Sequence, residues 1–233
     1  MKTLVAVPMK RLSAAKSRLS TGLDCAQRER IALRLFIRGQ QFLSTEFPEL
    51  VRIVVTNCPF VAEAASETRT FTLSDVPAPA VAQRGQAGLN NAAMIALNHA
   101  RQTGFDWLLL LPGDLACLRA DEFRQLLATR APGCATVVAS RDGGTNALLL
   151  PVGGLSSSWS FNYGGKSAER HAALLKNEGL RVTCLALPGL AFDVDTLDDY
   201  ARLRSQWEDN RDVSQNGSAW KARRFHCEEV SHV

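Results

Sequence analysis

Five apolar residues in a row, Trp107 to Leu111, show no polar alternation. A run of this kind is stable only as a strand covered on both faces by other elements. The chain around it supplies the cover, because apolar runs of strand length alternate with stretches of helical period, as in an α/β fold with a mostly parallel central sheet flanked by helices. Strands are expected at Leu4 to Val7, Arg52 to Thr56, Thr70 to Leu73, Trp107 to Leu111, Thr136 to Ser140, Ala147 to Pro151 and Val182 to Leu187. Helices are expected from Asp24, at Phe60 to Glu67, Leu89 to Gln102, Asp121 to Thr129, Ser167 to Asn177 and Thr196 to Gln206. Asp24 can cap the first with Gln27 three residues on. The polar linker RDGGTN predicts a hairpin and hence one antiparallel strand. Pro77, Pro79, Gly85 and Gly88 make the segment before the third helix a loop. Residues 1–207 read as one domain and 208–233, polar and without period, as a loose tail.

At 233 residues, 46% hydrophobic and 21% charged, the chain can bury a full core, which excludes disorder, collagen and coiled coil. The formal charge of +4 is concentrated at the start: Lys2, Lys10, Arg11, Lys16 and Arg18 precede the first acid, Asp24, leaving −1 for everything after Arg18. A local basic segment on a nearly neutral body suits a small anionic ligand better than a nucleic acid. The six cysteines are scattered without CxxC spacing, and no apolar run approaches the roughly 20 residues of a membrane span, so a cytoplasmic protein with reduced thiols is expected.

Acids fall where the carboxyl edge of the sheet should lie, the edge at which open α/β folds bind ligands. Asp114 follows the buried strand through Pro112-Gly113. Asp193 and Asp195 lie two apart, so that Phe192 and Val194 can pack inward while both carboxylates face one ion. Three carboxylates suit a hard cation such as Mg²⁺; the bland alternative makes Asp114 a turn residue and Asp195 the cap of the last helix. The loop VPMKRLSAAKSRL leaves a buried strand, where Rossmann-like folds hold phosphates, and offers small residues for close backbone approach with Lys10, Lys16 and Arg18 for charge. It is neither a Walker loop nor GxGxxG, so NAD is not expected. The clusters Gly143 to Asn146 and Tyr163 to Ser167 could each donate to an anion, against plainer readings as a hairpin turn and an N-cap. His171 reads as a helix-face residue rather than a catalyst.

Six pieces in order, VPMKRLSAAKSRL, Gly88-Leu89-Asn90, LLLLPGDL, GGTNALLL, YGGKSAERH and LPGLAFDVDT, resemble the 2-phospho-L-lactate guanylyltransferases of deazaflavin coenzyme biosynthesis, including the phosphoenolpyruvate and 3-phospho-D-glycerate variants. The resemblance implies a Rossmann-like nucleotidyltransferase fold that takes GTP and a small phosphorylated hydroxy acid as partners, with Mg²⁺ as cofactor, no nucleic acid and no membrane, and it admits a homodimer. It implies metal ligation by Asp114, Asp193 and Asp195, and nucleotide binding by Pro8, Lys10, Lys16, Arg18, Gly88 and Asn90. Acceptor binding falls to Thr145, Gly164 and Ser167, and Asp114, Lys16 and Arg18 carry the transfer. The departures cluster at the acidic motif, where Gly113 precedes the Asp and Ala116 and Cys117 follow, and at Ser140, which leaves the acceptor open among the three acids. Two other readings stay on the table: a sugar-nucleotide glycosyltransferase, from the DxD pattern of Asp193-Val194-Asp195, and a GTP-binding module without turnover.

Overall fold

The structure is a computed structural model that describes residues 1–75 and 88–209. Seven strands form one sheet in the order β3-β2-β1-β4-β6-β5-β7: β1 Thr3–Pro8, β2 Val51–Val55, β3 Phe71–Leu73, β4 Trp107–Leu110, β5 Cys134–Ala139, β6 Thr145–Pro151 and β7 Arg181–Leu185. Among the seven described strands only β6 runs against its neighbours, antiparallel to both β4 and β5, and the other strand pairings are parallel. The RDGGTN linker is the hairpin between β5 and β6, as its polar glycine-rich composition implies.

Six helices accompany the sheet among the described residues: α1 Cys25–Glu46, α2 Pro59–Glu67, α3 Leu89–Gln102, α4 Ala120–Ala128, α5 Ser167–Asn177 and α6 Leu197–Asp209. The last extends three residues beyond the expected Gln206, to Asp209. The tail beyond it, Cys227 and the Pro-rich segment 76–87 lie outside the described residues.

Alternate residues of the central strands feed two separate cores, the physical content of a strand buried on both faces. Val5, Val7, Trp107 and Leu109 join Phe36, Leu43 and Phe123 on one side. Leu4, Ala6, Leu108 and Leu110 join the alanine-rich face of α3 on the other. None of the described helices is long and apolar enough to cross a membrane.

The start of α1 is built as its sequence dictates: Asp24 accepts from Gln27 N–H at 2.7 Å and Gln27 Oε1 accepts from Asp24 N–H at 2.9 Å. Asp24→Ala should therefore cost about 1 kcal/mol. A thermal melt is expected to fall by about 2–4 °C at unchanged activity, and no shift in Tm would show that the reciprocal cap contributes nothing.

Candidate active site

In the strand order, β1 lies between β2 and β4, the point where chain progression reverses and a crevice opens at the carboxyl ends of the strands. The loops after β1 and β4 are neighbours there because Ala6 pairs with Leu110. Since β6 is antiparallel, its first residue, Thr145, falls at this same edge. A parallel strand would have put it at the opposite one.

The loop after β1 folds into two short 3₁₀ turns, Leu12–Ala14 and Ser17–Leu19. Between them Lys16 adopts a left-handed conformation, φ 53°, at a cost of about 1–2 kcal/mol for a residue with a Cβ. That conformation sends its side chain, 1% exposed, against Asp114 Oδ2 at 2.5 Å and Asp195 Oδ1 at 3.9 Å. Arg18 pairs with Asp195 and lies 3.4 Å from Asp142. These two carboxylates, Asp195 foremost, raise the Arg18 guanidinium above its ordinary value. A cavity of about 480 Å³ opens on this constellation, lined by Pro8, Lys10, Lys16, Arg18, Gly88, Asp114 and Asp195.

What draws Asp193 and Asp195 to Asp114 is a small third core. Phe192 and Val194 point inward, as their alternation with the acids requires, and pack with Leu19, Ile31, Leu35 and Leu203. The basic loop and the acidic segment are thus bolted to the same face of α1. A bridge between Leu115 and Asp193 fixes the register beside Asp114. The Arg141 guanidinium sits 4.5 Å above the Phe192 ring. Further back, buried Glu122 accepts from Gly189 N–H at 2.9 Å and Leu190 N–H at 3.2 Å, while Asn146 Nδ2 donates to Leu190 O at 3.0 Å.

Asp195 is not the cap of the last helix. Thr196 has that role, with Oγ1 accepting from Asp199 N–H at 3.1 Å and the Asp199 carboxylate accepting from Thr196 N–H at 3.0 Å. Asp195 is left to the cations. Burial first, then the nearby charge of Asp195 and more weakly Asp114, pushes the Asp193 carboxyl up to about 6. Lys16 lowers it in turn, so the carboxylates and cations of the site are electrostatically coupled. As the side chains stand, no three His, Cys, Asp or Glu groups among the described residues converge at metal-ligand distance. The Lys16 ammonium occupies the place between Asp114 and Asp195.

Gly113, one of the departures in the acidic motif, has a steric cause: a Cβ there would come 2.7 Å from Met9 Sδ and 3.3 Å from Val7. The glycine lets Met9 pack beneath the β4 loop.

Thr145, Gly164 and Ser167 form a second group. Thr145 Oγ1 and Ser167 Oγ are 3.0 Å apart, and Gly164, at φ 127°, turns the chain into α5. The N-cap expected in this cluster is not a side-chain cap: Lys166 holds the position without a capping bond, and the Ser167 hydroxyl is turned to Thr145. Asn90 does not occur among the described residues lining the cavity. Its Oδ1 accepts from Tyr163 N–H at 2.7 Å and ties the start of α3 to the Tyr163 to Ser167 loop.

One feature escaped the sequence reading, and another, His171, lies on its helix as expected but is buried and bonded rather than idle. Asp75 lines the cavity beside Gly88 and accepts from Asn91 Nδ2 at 2.8 Å; burial pushes its carboxyl up. Nothing marks it in the sequence, because it lies in an irregular stretch after a three-residue strand. His171 is fully buried and bonded at both ring nitrogens. Its signal was present, since Ser167 and His171 are four apart and share a helix face.

A comparison with known families matches residues 3–211 to the family described as guanylyl transferase CofC like. The chain is 35% identical over 209 residues to phosphoenolpyruvate guanylyltransferase of Conexibacter woesei, covering 88% of each chain. It is 30% identical over 204 residues to 3-phospho-D-glycerate guanylyltransferase of Colwellia psychrerythraea, covering 87% of this chain and 91% of that one. Among solved structures, a nucleotidyl transferase from Methanothermobacter thermautotroptrophicus superposes with a TM-score of 0.61 at 17% identity, covering 90% of this chain and 98% of the other, a likeness of fold.

Proposed function

Since the chain belongs to the CofC-like guanylyl transferase family, we propose that it transfers GMP from GTP to the phosphate of a small phosphorylated hydroxy acid and releases pyrophosphate, in deazaflavin coenzyme biosynthesis. The acceptor is 2-phospho-L-lactate, phosphoenolpyruvate or 3-phospho-D-glycerate, the latter two named for relatives at 35% and 30% identity. The observation that carries the reading is the meeting of Lys16 and Arg18 with Asp114 and Asp195 on the wall of one cavity at the switch point of the sheet.

Joining a phosphate monoester to an α-phosphate needs no general base, because the second phosphate pKa is about 6 and the nucleophile is already an anion. The work left to the protein is to align two anions in line and to neutralise the departing pyrophosphate. In this reading Pro8, Lys10, Lys16 and Arg18 hold the triphosphate, with Gly88 and Asn90 on the nucleoside side. The Asp75 carboxylate offers acceptors for the N1–H and 2-amino donors of guanine. Thr145, Gly164 and Ser167 hold the acceptor.

Asp114, Asp193 and Asp195 would supply the all-oxygen donors that a Mg²⁺ ion takes once their side chains turn to it, and a cation there would relieve a carboxylate, Asp193, that burial first and the neighbouring Asp195 and Asp114 second make costly to ionise. Mg²⁺ there would screen the phosphates and favour the leaving group. Its binding requires Lys16 to leave Asp114 and Asp195, and the triphosphate is the partner that receives the ammonium. Both substrates are charged and dissolved, which supports a cytoplasmic enzyme.

The test is pyrophosphate release from GTP and Mg²⁺ with each acid in turn. Release with one acid well above the others is expected; none with any acid, despite tight GTP binding, would make the chain a GTP-binding module. Hydrolysis of a nucleotide sugar would favour the glycosyltransferase reading instead.

A further inference from the structure

An anion is bound by donors alone, so the hydrogens of two neighbouring hydroxyls decide whether they attract it or repel it. Thr145 and Ser167 carry one hydroxyl hydrogen each, and one of the two is spent on the bond between them. The other is free only if nothing else nearby demands it. His171 Nδ1 lies 3.0 Å from Thr145 Oγ1. Were Nδ1 an acceptor, Thr145 would donate to it and Ser167 to Thr145, and no hydrogen would remain. The backbone prevents this. Asn162 N–H points at His171 Nε2 at 3.1 Å, and a backbone N–H only donates, so Nε2 is an acceptor and the proton of the neutral ring resides on Nδ1. Burial, with the charge of Arg170, lowers the ring to about 4, so it is neutral at ordinary pH. Tyr163, edge-on at 4.7 Å, and Phe161 hold its plane.

We propose that His171 is a positioning residue for the acceptor: locked by Asn162 N–H as the Nδ1–H tautomer, it donates to Thr145 and so leaves one hydroxyl hydrogen of the Thr145–Ser167 pair for an oxygen of the phosphorylated acid. The inference rests on the reading that this pair binds the acceptor. His171 itself touches no reacting atom.

The experiment compares His171→Asn, whose amide N–H can stand where Nδ1–H stood, with His171→Gln, which reaches toward Asn162 and abandons Thr145. Thr145→Val is the control. One hydrogen bond to an anion is worth about 10- to 100-fold. The expected result is a rise of about that size in the acid's KM for Gln, with kcat and the GTP KM unchanged, and recovery to within about threefold for Asn. Equal losses in the two variants, or a parallel rise in the GTP KM, would overturn the proposal. An unchanged acid KM in Thr145→Val would remove the acceptor reading beneath it, whereas a raised KM there with a normal His171→Gln would sink the inference alone. Nitrogen-15 NMR of the wild-type imidazole decides the matter even if both variants fail to fold: Nδ1–H supports the proposal, and Nε2–H refutes it.

Discussion

Asp114→Asn is expected to slow pyrophosphate release by roughly a thousandfold at saturating GTP and acid, about 4 kcal/mol of lost transition-state stabilisation. The carboxylate sits where the β4 loop meets the basic loop, bonded to Lys16 at 2.5 Å, with its side chain 32% exposed on the wall of the cavity. Asparagine keeps the shape and one acceptor oxygen but removes the charge that a divalent cation requires. Fold loss is small on the same geometry, because buried Lys16 retains Asp195 within 3.9 Å. Circular dichroism and thermal melts should stay near the wild type while turnover collapses. Wild-type rates at saturating Mg²⁺ would dismiss Asp114 from the reaction.

Lys16→Met separates two roles that one ammonium plays. In the nucleotide-free protein Lys16 fills the space between Asp114 and Asp195, where it competes with any added cation. With nucleotide bound, it neutralises phosphate. Methionine preserves the length of a side chain that is almost wholly buried and removes both functions. Turnover should fall by roughly a hundredfold or more, from the loss of charge on the triphosphate. Divalent cation binding to the nucleotide-free protein should instead strengthen, by about tenfold for each 1.4 kcal/mol of competition removed. Titration with Mn²⁺, followed by electron paramagnetic resonance, reads the second effect. Weaker Mn²⁺ binding in the variant would mean that Lys16 does not occupy the cation's place, and the exchange of partners would fail with it.

Much of the architecture follows from local rules. The unbroken run at Trp107 requires cover on both faces, and two cores supply it. The helices Leu89–Gln102 and Ser167–Asn177 lie where periodicity and the glycines at Gly104 and Gly179 put them. Boundaries shifted by one to three residues elsewhere, most at the C-terminus of the last helix, which runs to Asp209, while its N-terminus moved by one residue and is set by the reciprocal bonds of Thr196 and Asp199. A cap is chosen by which neighbour has other partners, and Asp195 had Arg18 and Lys16.

Composition, periodicity and the order of short motifs determined the layered sheet, the basic loop, the three aspartates and the family, because each is written in residues close together along the chain. The meeting of Asp193 and Asp195 with Asp114 was decided by tertiary structure: Phe192 and Val194 lose water only by packing against Leu19, Ile31 and Leu35, residues more than 150 positions away. The same holds for Lys16 between two carboxylates and for the proton on His171, which depends on a backbone N–H nine residues earlier. Charge and hydrogen direction depend on distance in space, and only the folded chain fixes that distance.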